Sequence, residues 1–430
     1  MKVRISNRSI RSVILILCII MADNLFYLID RESINIFGIL GYQNIWLLIF
    51  MLFIAYTYVQ YGLWKIKKVY YFGTVVAILA GLVFVGVVRG WIVFAQPISM
   101  GFVKQMPYLF IIISYYPIRK FYSSNIIDDS VINKGVVISG IISFFVYFFQ
   151  VRFIDSVSFL YDVVTGNRYG SIRIYVDSVF CVLLGFYGMD SFLRTRKWRG
   201  LFLVPLTIVY ELYISKGRLE FAAFCGSMAI GVILMKRYTM KKTLILGAVV
   251  GLVVVFLNTQ QAASIFEAIG NLQNNTGTMG VRAYGRSLYF SRMSKSISSM
   301  ILGCGYPGSE TAKIMSGQNE KVLLFDNGIF AFVYVYGIMG LIVVIIWFVK
   351  MFRLAWRLYK TQNKYIYLMF IIFNIALMYN ITFWWWKYPW TIIMIIMMCK
   401  MEHELFDNIK RTRVDGNNRY GFDKYFTDSK

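Results

Sequence analysis

The sequence has a single histidine, His403, and only five cysteines in 430 residues. Four of the cysteines lie in or beside apolar runs, and Cys304 alone lies in a large polar loop. Histidine and cysteine are the usual ligands of zinc and haem iron, so no metal or cofactor is predicted. A lone loop cysteine has no partner for an internal disulfide, so no disulfide framework is expected.

Charged residues are also few, at 15%, whereas hydrophobic residues make up 58% of the chain. Soluble domains are nearer roughly 45–50% apolar. Many of the apolar runs here approach the roughly 18–20 residues that cross a bilayer, which predicts an all-α polytopic membrane protein. The basic N-terminus precedes an apolar run with no small-residue cleavage site, so this run is predicted to be a retained first span.

The apolar pattern predicts about 12 transmembrane helices in a single integral membrane domain over 1–430. A large, partly helical loop over 258–325 separates spans 9 and 10, and a polar, basic tail follows over 401–430. No soluble domain, heptad pattern or clear internal repeat is present. The predicted spans lie near 12–29, 42–64, 70–88, 104–118, 133–150, 174–191, 201–214, 219–235, 243–257, 327–349, 364–383 and 388–400.

The formal net charge is +24. In a soluble protein this excess would suggest nucleic acid, but in a membrane protein cationic loops mark the cytoplasmic side, so no nucleic-acid partner is expected. With twelve spans, the basic clusters all fall on one face, which predicts that both termini are cytoplasmic. These clusters lie at 2–11, 65–68, 119–120, 194–199, 236–242 and 350–360.

Several cations break this rule, because the predicted topology puts them on the opposite side. Arginine is a planar, permanent cation that binds phosphate through two parallel hydrogen bonds. Such groups above a membrane cavity would hold a lipid-linked pyrophosphate and stabilise it as a leaving group without a metal. The alternative is that they are solvated or snorkelling side chains. The residues are Arg168, Arg173, Lys216, Arg218, Arg282, Arg286, Arg292 and Lys295.

Acidic and aromatic candidates accompany these cations. Asp326, followed by Asn327, stands where the long loop meets span 10; it is either a general base for a sugar hydroxyl or a cap of the next helix. Glu211 and Glu220 lie in or beside spans 7 and 8, where a carboxylate pairs with a cation or contacts substrate. Tyr289 either stacks on a sugar or packs against the protein.

The long-loop segment GRSLYFSRMSKSISSMILGCG resembles a segment of the O-antigen polymerase and ligase superfamily. In that superfamily an arginine is followed four residues later by an aromatic, then by an amphipathic helix and a Gly-x-Gly. The matching residues here are Arg286, Phe290, Gly303 and Gly305. The next segment, DNGIFAFVYVYGIMGL, resembles the entry to the superfamily's following span, with a Gly-Ile-x-Gly that begins at Gly337.

Two shorter segments resemble the same superfamily. SKGRLEFAAF is similar to its Ser-Arg-Gly motif, with either Lys216 or Arg218 in the place of the arginine. NRYGSIR, with Arg168 and Arg173, resembles its arginine-containing segment before the preceding span. The resemblance covers about 165–345, and the first half of the chain matches only in hydropathy.

The resemblance implies a metal-independent glycosyltransferase of the bacterial inner membrane that acts on undecaprenyl-pyrophosphate-linked oligosaccharides at the periplasmic face. The superfamily's ligases carry a loop histidine where this chain has Asp326, and His403 is predicted to be cytoplasmic. The resemblance therefore favours a repeat-unit polymerase. Its implied partners are lipid-linked glycans, membrane lipids and a chain-length regulator protein.

On this hypothesis, Arg286 with Lys216 or Arg218 neutralises the diphosphate, and Asp326 orients or deprotonates the acceptor hydroxyl. Two alternatives stay open. A flippase for lipid-linked oligosaccharides predicts two related halves and no long exterior loop, and a ligase requires a lipid A core acceptor. The expected substrate-binding residues are Arg168, Arg173, Arg282, Arg292, Asn327 and Tyr289.

Overall fold

The structure is a computed structural model of the chain. It describes residues 6–31, 33–36, 40–66, 70–154, 158–161, 163, 165–168, 171–176, 178–235, 247, 251, 277–308, 324–378 and 387–407. The description covers the backbone alone at 35–36, 40, 167–168, 171–172, 218, 277–279, 325–326 and 407.

These residues are mainly α-helical, with two short antiparallel hairpins. The helices are α1 (Asn7–Ala22), α2 (Tyr42–Gln60), α3 (Gly73–Phe94), α4 (Ile98–Ile113), α5 (Tyr115–Ser123), α6 (Asp129–Phe153), α7 (Val179–Thr195), α8 (Val204–Val209), α9 (Arg218–Ile233), α10 (Gly277–Met293), α11 (Ile297–Leu302), α12 (Ile329–Gln362), α13 (Ile366–Met378) and α14 (Tyr388–Glu402). Strand β1 (Asn35–Ile36) pairs with β2 (Leu40–Gly41), and β3 (Thr165–Arg168) pairs with β4 (Ser171–Ile174).

Five helical segments are long and apolar enough to cross a membrane: α2, α3, α4 with α5, α6 and α12. Helices α9 and α13 contain shorter apolar stretches. The expectation of an all-α membrane protein is thereby confirmed. The count of twelve spans stays a prediction, because the predicted span near 243–257 and most of the loop over 258–325 lie outside the described residues.

Local sequence explains where several helices begin and end. The side chain of Asp128 accepts a hydrogen bond from the backbone N–H of Ser130 at the start of α6, and Ser296 caps α11 in the same way. Helix α12 ends at Gln362, and the next residue, Asn363, adopts a left-handed φ of 53°. The core runs along the inward faces of the long helices, where Trp347 and Met394 are fully buried.

One end of the bundle holds a network of buried ion pairs, and we call it the ion-pair end. Arg119 Nε lies 2.7 Å from Glu402 Oε2, and both side chains are buried. Tyr115 donates its hydroxyl to the other oxygen of Glu402. Lys364 Nζ lies 2.6 Å from Glu404 Oε1. The cluster predicted at 119–120 as a loop after span 4 is therefore part of helix α5 and is buried.

The start of the predicted C-terminal tail belongs to this same network. Residues 401 and 402 end α14, residues 403–407 continue it as a π-helix, and those at 401–405 are buried. The ring of His403 packs 5.9 Å from that of Tyr122. The rest of the predicted tail, 408–430, lies outside the described residues.

Hydrogen bonds between helices show which helix ends lie beside one another. Lys350 Nζ donates to the carbonyl of Tyr71, just before α3, and Tyr359 donates its hydroxyl to the carbonyl of Leu234, just after α9. The beginning of α3 and the ends of α9 and α12 therefore lie at the ion-pair end. The end of α3 and the beginnings of α9 and α12 lie at the opposite end, which we call the candidate-site end.

Candidate functional site

Helix α10 presents one face of candidate residues to the beginning of α12. Arg282, Arg286 and Tyr289 are spaced four and three residues apart, which puts them on the same side of a helix. The guanidinium carbon of Arg286 lies 4.7 Å from the centre of the Phe330 ring. The rings of Tyr289 and Tyr334 are 5.1 Å apart. The structure thus brings Arg286 and Tyr289 to the entry of α12.

The turn before α12 completes this group. Residues Leu324–Asn327 form a 3₁₀ turn that packs against both α10 and α12. The side chain of Asn327 is buried, and its amide donates to the carbonyl of Leu324 at 3.4 Å. Asp326 lies in the same turn, but its side chain is outside the described part, so its role as a base stays a prediction. Burial raises the pKa of Tyr289 to about 12, an effect that Arg292 opposes.

The Gly-x-Gly that follows α11 inserts between α3 and α12. The backbone N–H of Cys304 donates to the carbonyl of Tyr334 at 2.8 Å, and that of Gly305 donates to the carbonyl of Val335 at 3.1 Å. These carbonyls are available because α12 is broken at Gly337, where φ is 69° and ψ is −167°. The motif glycines therefore join the long loop to a kinked helix.

The other side of this insertion is held by α3. The N–H of Tyr306 donates to the carbonyl of Gly86 at 3.2 Å. Arg89 is buried; its Nε donates to the carbonyl of Gly303 at 2.9 Å and its Nη2 to the hydroxyl of Ser299 at 2.8 Å. Arg89 is not among the predicted site residues, and in the sequence it is a single cation at the end of an apolar run.

A second group of candidate residues surrounds the turn between α8 and α9. Strand β4 packs against the π-helix Tyr210–Ile214 that continues α8. Arg173 lies on β4 with its guanidinium carbon 4.2 Å from the centre of the Tyr175 ring. Lys216 is 4% exposed and adopts a left-handed φ of 50°.

Two carboxyl groups meet at Ser215 inside this turn. The Ser215 hydroxyl lies 3.2 Å from Glu211 Oε2 and 3.3 Å from Glu220 Oε2, and it accepts the N–H of Gly217 at 3.2 Å. A hydroxyl carries one hydrogen, so one carboxyl must hold a proton for both contacts to be hydrogen bonds. The backbone of Arg218 begins helix α9. The side chains of Arg218 and Arg168 lie outside the described part.

Lys387 joins this second group, although it is not among the predicted site residues. It lies directly before α14. Burial lowers the pKa of Lys387 to about 7; attraction to Asp23 opposes the shift, and repulsion from Arg173 adds to it. Asp23 is itself buried at the end of α1 and accepts a hydrogen bond from Ser178 at 3.5 Å. The signal in the sequence was one lysine among tryptophans.

The candidate residues thus form two groups rather than one cluster. The first group contains Arg282, Arg286, Tyr289, Arg292 and Asn327, and the second contains Arg173 and Lys216 with Glu211, Glu220 and Lys387. Both lie at the candidate-site end, because α9 and α12 begin there. Among the described side chains, no three histidine, cysteine, aspartate or glutamate residues lie close enough together to hold a metal ion.

No protein-family model and no curated protein matches this chain in sequence comparisons. The resemblance to the O-antigen polymerase and ligase superfamily therefore depends on the quoted motifs alone.

Proposed function

We propose that this protein is a repeat-unit polymerase. It would join oligosaccharides carried on undecaprenyl pyrophosphate at the periplasmic face of the bacterial inner membrane. The growing chain on one lipid is the donor, and a single repeat unit on another is the acceptor. The observation that carries the proposal is that both groups of cations lie at the candidate-site end of the bundle.

The positions of the cations support recognition of a diphosphate. Arg286 lies against the first turn of α12, half-buried, where its charge is less screened than in water. Arg173 Nε is buried and has no hydrogen-bond partner among the described residues, so a donor remains for a ligand. Lys216 lies between Ser215 and Gly217. The Ser215 hydroxyl bonds to Glu211 and to the N–H of Gly217, which fixes the turn that contains Lys216. A diphosphate offers oxygens for several such donors.

The reaction that follows is a single displacement. The acceptor hydroxyl oxygen bonds to the anomeric carbon of the donor, and the bond from that carbon to the pyrophosphate oxygen breaks. The electron pair leaves with undecaprenyl pyrophosphate, whose negative charge Arg286 and Lys216 neutralise. The hydroxyl proton goes to a carboxylate, for which Asp326 is the candidate on its position in the chain.

The proposal is tested with purified protein in vesicles that contain a synthetic lipid-linked repeat unit. Wild-type protein should lengthen the glycan without an ion gradient, and Arg286→Ala should reduce the rate by at least about tenfold, the effect of losing one charge-assisted contact. Arg152→Ala is the matched control, because Arg152 is exposed at the end of α6. An unchanged rate in Arg286→Ala, in stably inserted protein, would refute the site.

The same assay distinguishes the alternative functions. A flippase moves the lipid-linked glycan across the bilayer without lengthening it. A ligase transfers the glycan only when a lipid A core acceptor is added. Either result, with no lengthening of the lipid-linked glycan, would replace the polymerase proposal.

A further inference from the structure

The segment over 297–306, made of α11 and the following Gly-x-Gly, has an outward surface that the protein itself does not cover. Ile297 is 77% exposed and Ile301 is 45% exposed, although both are large and apolar. The backbone of the same segment is fixed by hydrogen bonds to α3 and α12. We name residues 297–306 the inserted segment.

Two helices independently give the depth of the inserted segment. It bonds to α12 at Tyr334 and Val335 and lies against the kink at Gly337, which is about 12 Å along the helix from Ile329. The run 329–349 has no charged residue and spans roughly the 30 Å of a bilayer core. The kink is therefore well inside the apolar run.

Helix α3 gives the same depth from the other side. Tyr306 bonds to the carbonyl of Gly86, which is about 12 Å along α3 from its last residue, Phe94. Between them, Val88 and Trp91 are exposed on the outer surface of α3. The inserted segment is thus flanked by helix surfaces that have the composition of lipid-facing surfaces.

Irregular backbone at membrane depth is tolerated only where its polar groups are satisfied by protein. The inserted segment meets this condition, because Cys304, Gly305 and Tyr306 donate their N–H groups to neighbouring helices and Arg89 donates to the carbonyl of Gly303. Its large outward side chains, Ile297 and Ile301, are apolar, and exposed Lys295 precedes them in the chain. A basic residue beside apolar ones matches the phosphate and acyl layers of a lipid surface.

We infer that the inserted segment is a re-entrant element whose Ile297 and Ile301 contact the acyl chains of membrane phospholipid. The surface is continuous with exposed Ile338 and Met339, the residues that follow Gly337 on α12. Burial of two isoleucine side chains in lipid would help to hold the long loop against the membrane body. This inference does not depend on the proposed enzymatic activity.

The experiment uses spin labels in full-length protein reconstituted into phospholipid nanodiscs. All five native cysteines are buried, so Ile297→Cys, Ile301→Cys and, as a control, Ser294→Cys provide the reactive thiols. Oxygen partitions into the bilayer, whereas a charged nickel chelate stays in water. Labels at 297 and 301 should be more accessible to oxygen than to the chelate, and the exposed position 294 should show the reverse preference.

Two results would overturn the inference. Preference for the chelate at 297 and 301, as at 294, would put the inserted segment in water. Low accessibility to both reagents at these two positions would mean that a second copy of the chain or another protein covers them. Each label is placed in a separate variant. Correct insertion of each variant is checked by showing that its native thiols stay buried.

Discussion

Replacing Gly305 with alanine should detach the inserted segment from the helices that hold it. Gly305 has a φ of +89°, which costs an alanine about 1–2 kcal/mol. A Cβ atom would lie 2.1 Å from the backbone nitrogen of Gly90, 2.6 Å from the carbonyl carbon of Arg89 and 2.7 Å from the carbonyl oxygen of Gly86. All three contacts are with backbone, so no side-chain rotation relieves them.

The magnitude follows from the bonds that a displaced loop would lose. The N–H groups of Cys304, Gly305 and Tyr306 each make one bond to α12 or α3, and each bond contributes about 1 kcal/mol net. A displaced loop relieves the backbone strain but loses these bonds, so the cost is about 3 kcal/mol. A change of about 3 kcal/mol raises the open population of the loop by about a hundredfold.

The assay is the rate at which a membrane-permeant maleimide labels Cys304, measured by peptide mass spectrometry. Cys304 is buried beside Gly305, so labelling requires the loop to open. Gly81→Ala is the matched control, because a Cβ at Gly81 on α3 would meet nothing within 4 Å. If Cys304 in Gly305→Ala is labelled no faster than in Gly81→Ala, the inserted geometry is wrong.

Three further predictions concern the buried polar groups. Glu402→Ala should lower the free energy of unfolding by about 3–5 kcal/mol, because Arg119 then stays buried without its carboxylate, and replacing both residues with leucine should restore most of it in detergent unfolding. Ser215→Ala should destabilise the protein by about 1–3 kcal/mol in the same assay, because the hydroxyl between Glu211 and Glu220 is lost. Ser215→Thr keeps the hydroxyl and should not destabilise the protein. Equal losses in the two variants would contradict the role given to the Ser215 hydroxyl. Lys387 should acylate with a midpoint near pH 7, and its contribution to stability should rise as pH increases from about 7 towards 10.5, because the unfolded lysine binds the proton that the folded one releases. An acylation midpoint near 10 would refute the environment described for Lys387.

The long apolar runs predicted the helical membrane fold because each run must satisfy its own backbone in lipid. The runs around 42–64, 70–88 and 133–150 correspond to α2, α3 and α6 with shifts of a few residues at their ends. The sequence could not show that Arg119 and Lys120 continue a helix into a buried network. Arg119 pairs with Glu402, far along the chain, and Lys120 donates to the hydroxyl of Tyr58 and the carbonyl of Leu63. Hydropathy carries no information about such partners.

The candidate site was predictable only in part. The sequence indicated Arg282, Arg286 and Tyr289 as separate candidates, and α10 puts them on one helix face. The depth of the Gly-x-Gly was not predictable, because its polar neighbours made the segment appear extramembrane. Arg89 and Lys387 were missed because each is a single cation whose neighbours come from distant segments.

On the proposed function, the two cationic groups hold the same diphosphate. The most direct test of this is the affinity of undecaprenyl pyrophosphate for the protein in nanodiscs, measured for Arg286→Ala, Lys216→Ala and the double variant. Each single change should weaken binding, and the losses should be non-additive by about 0.5–3 kcal/mol, as for residues that share one ligand. Strictly additive losses, or unchanged affinity in either single variant, would contradict it.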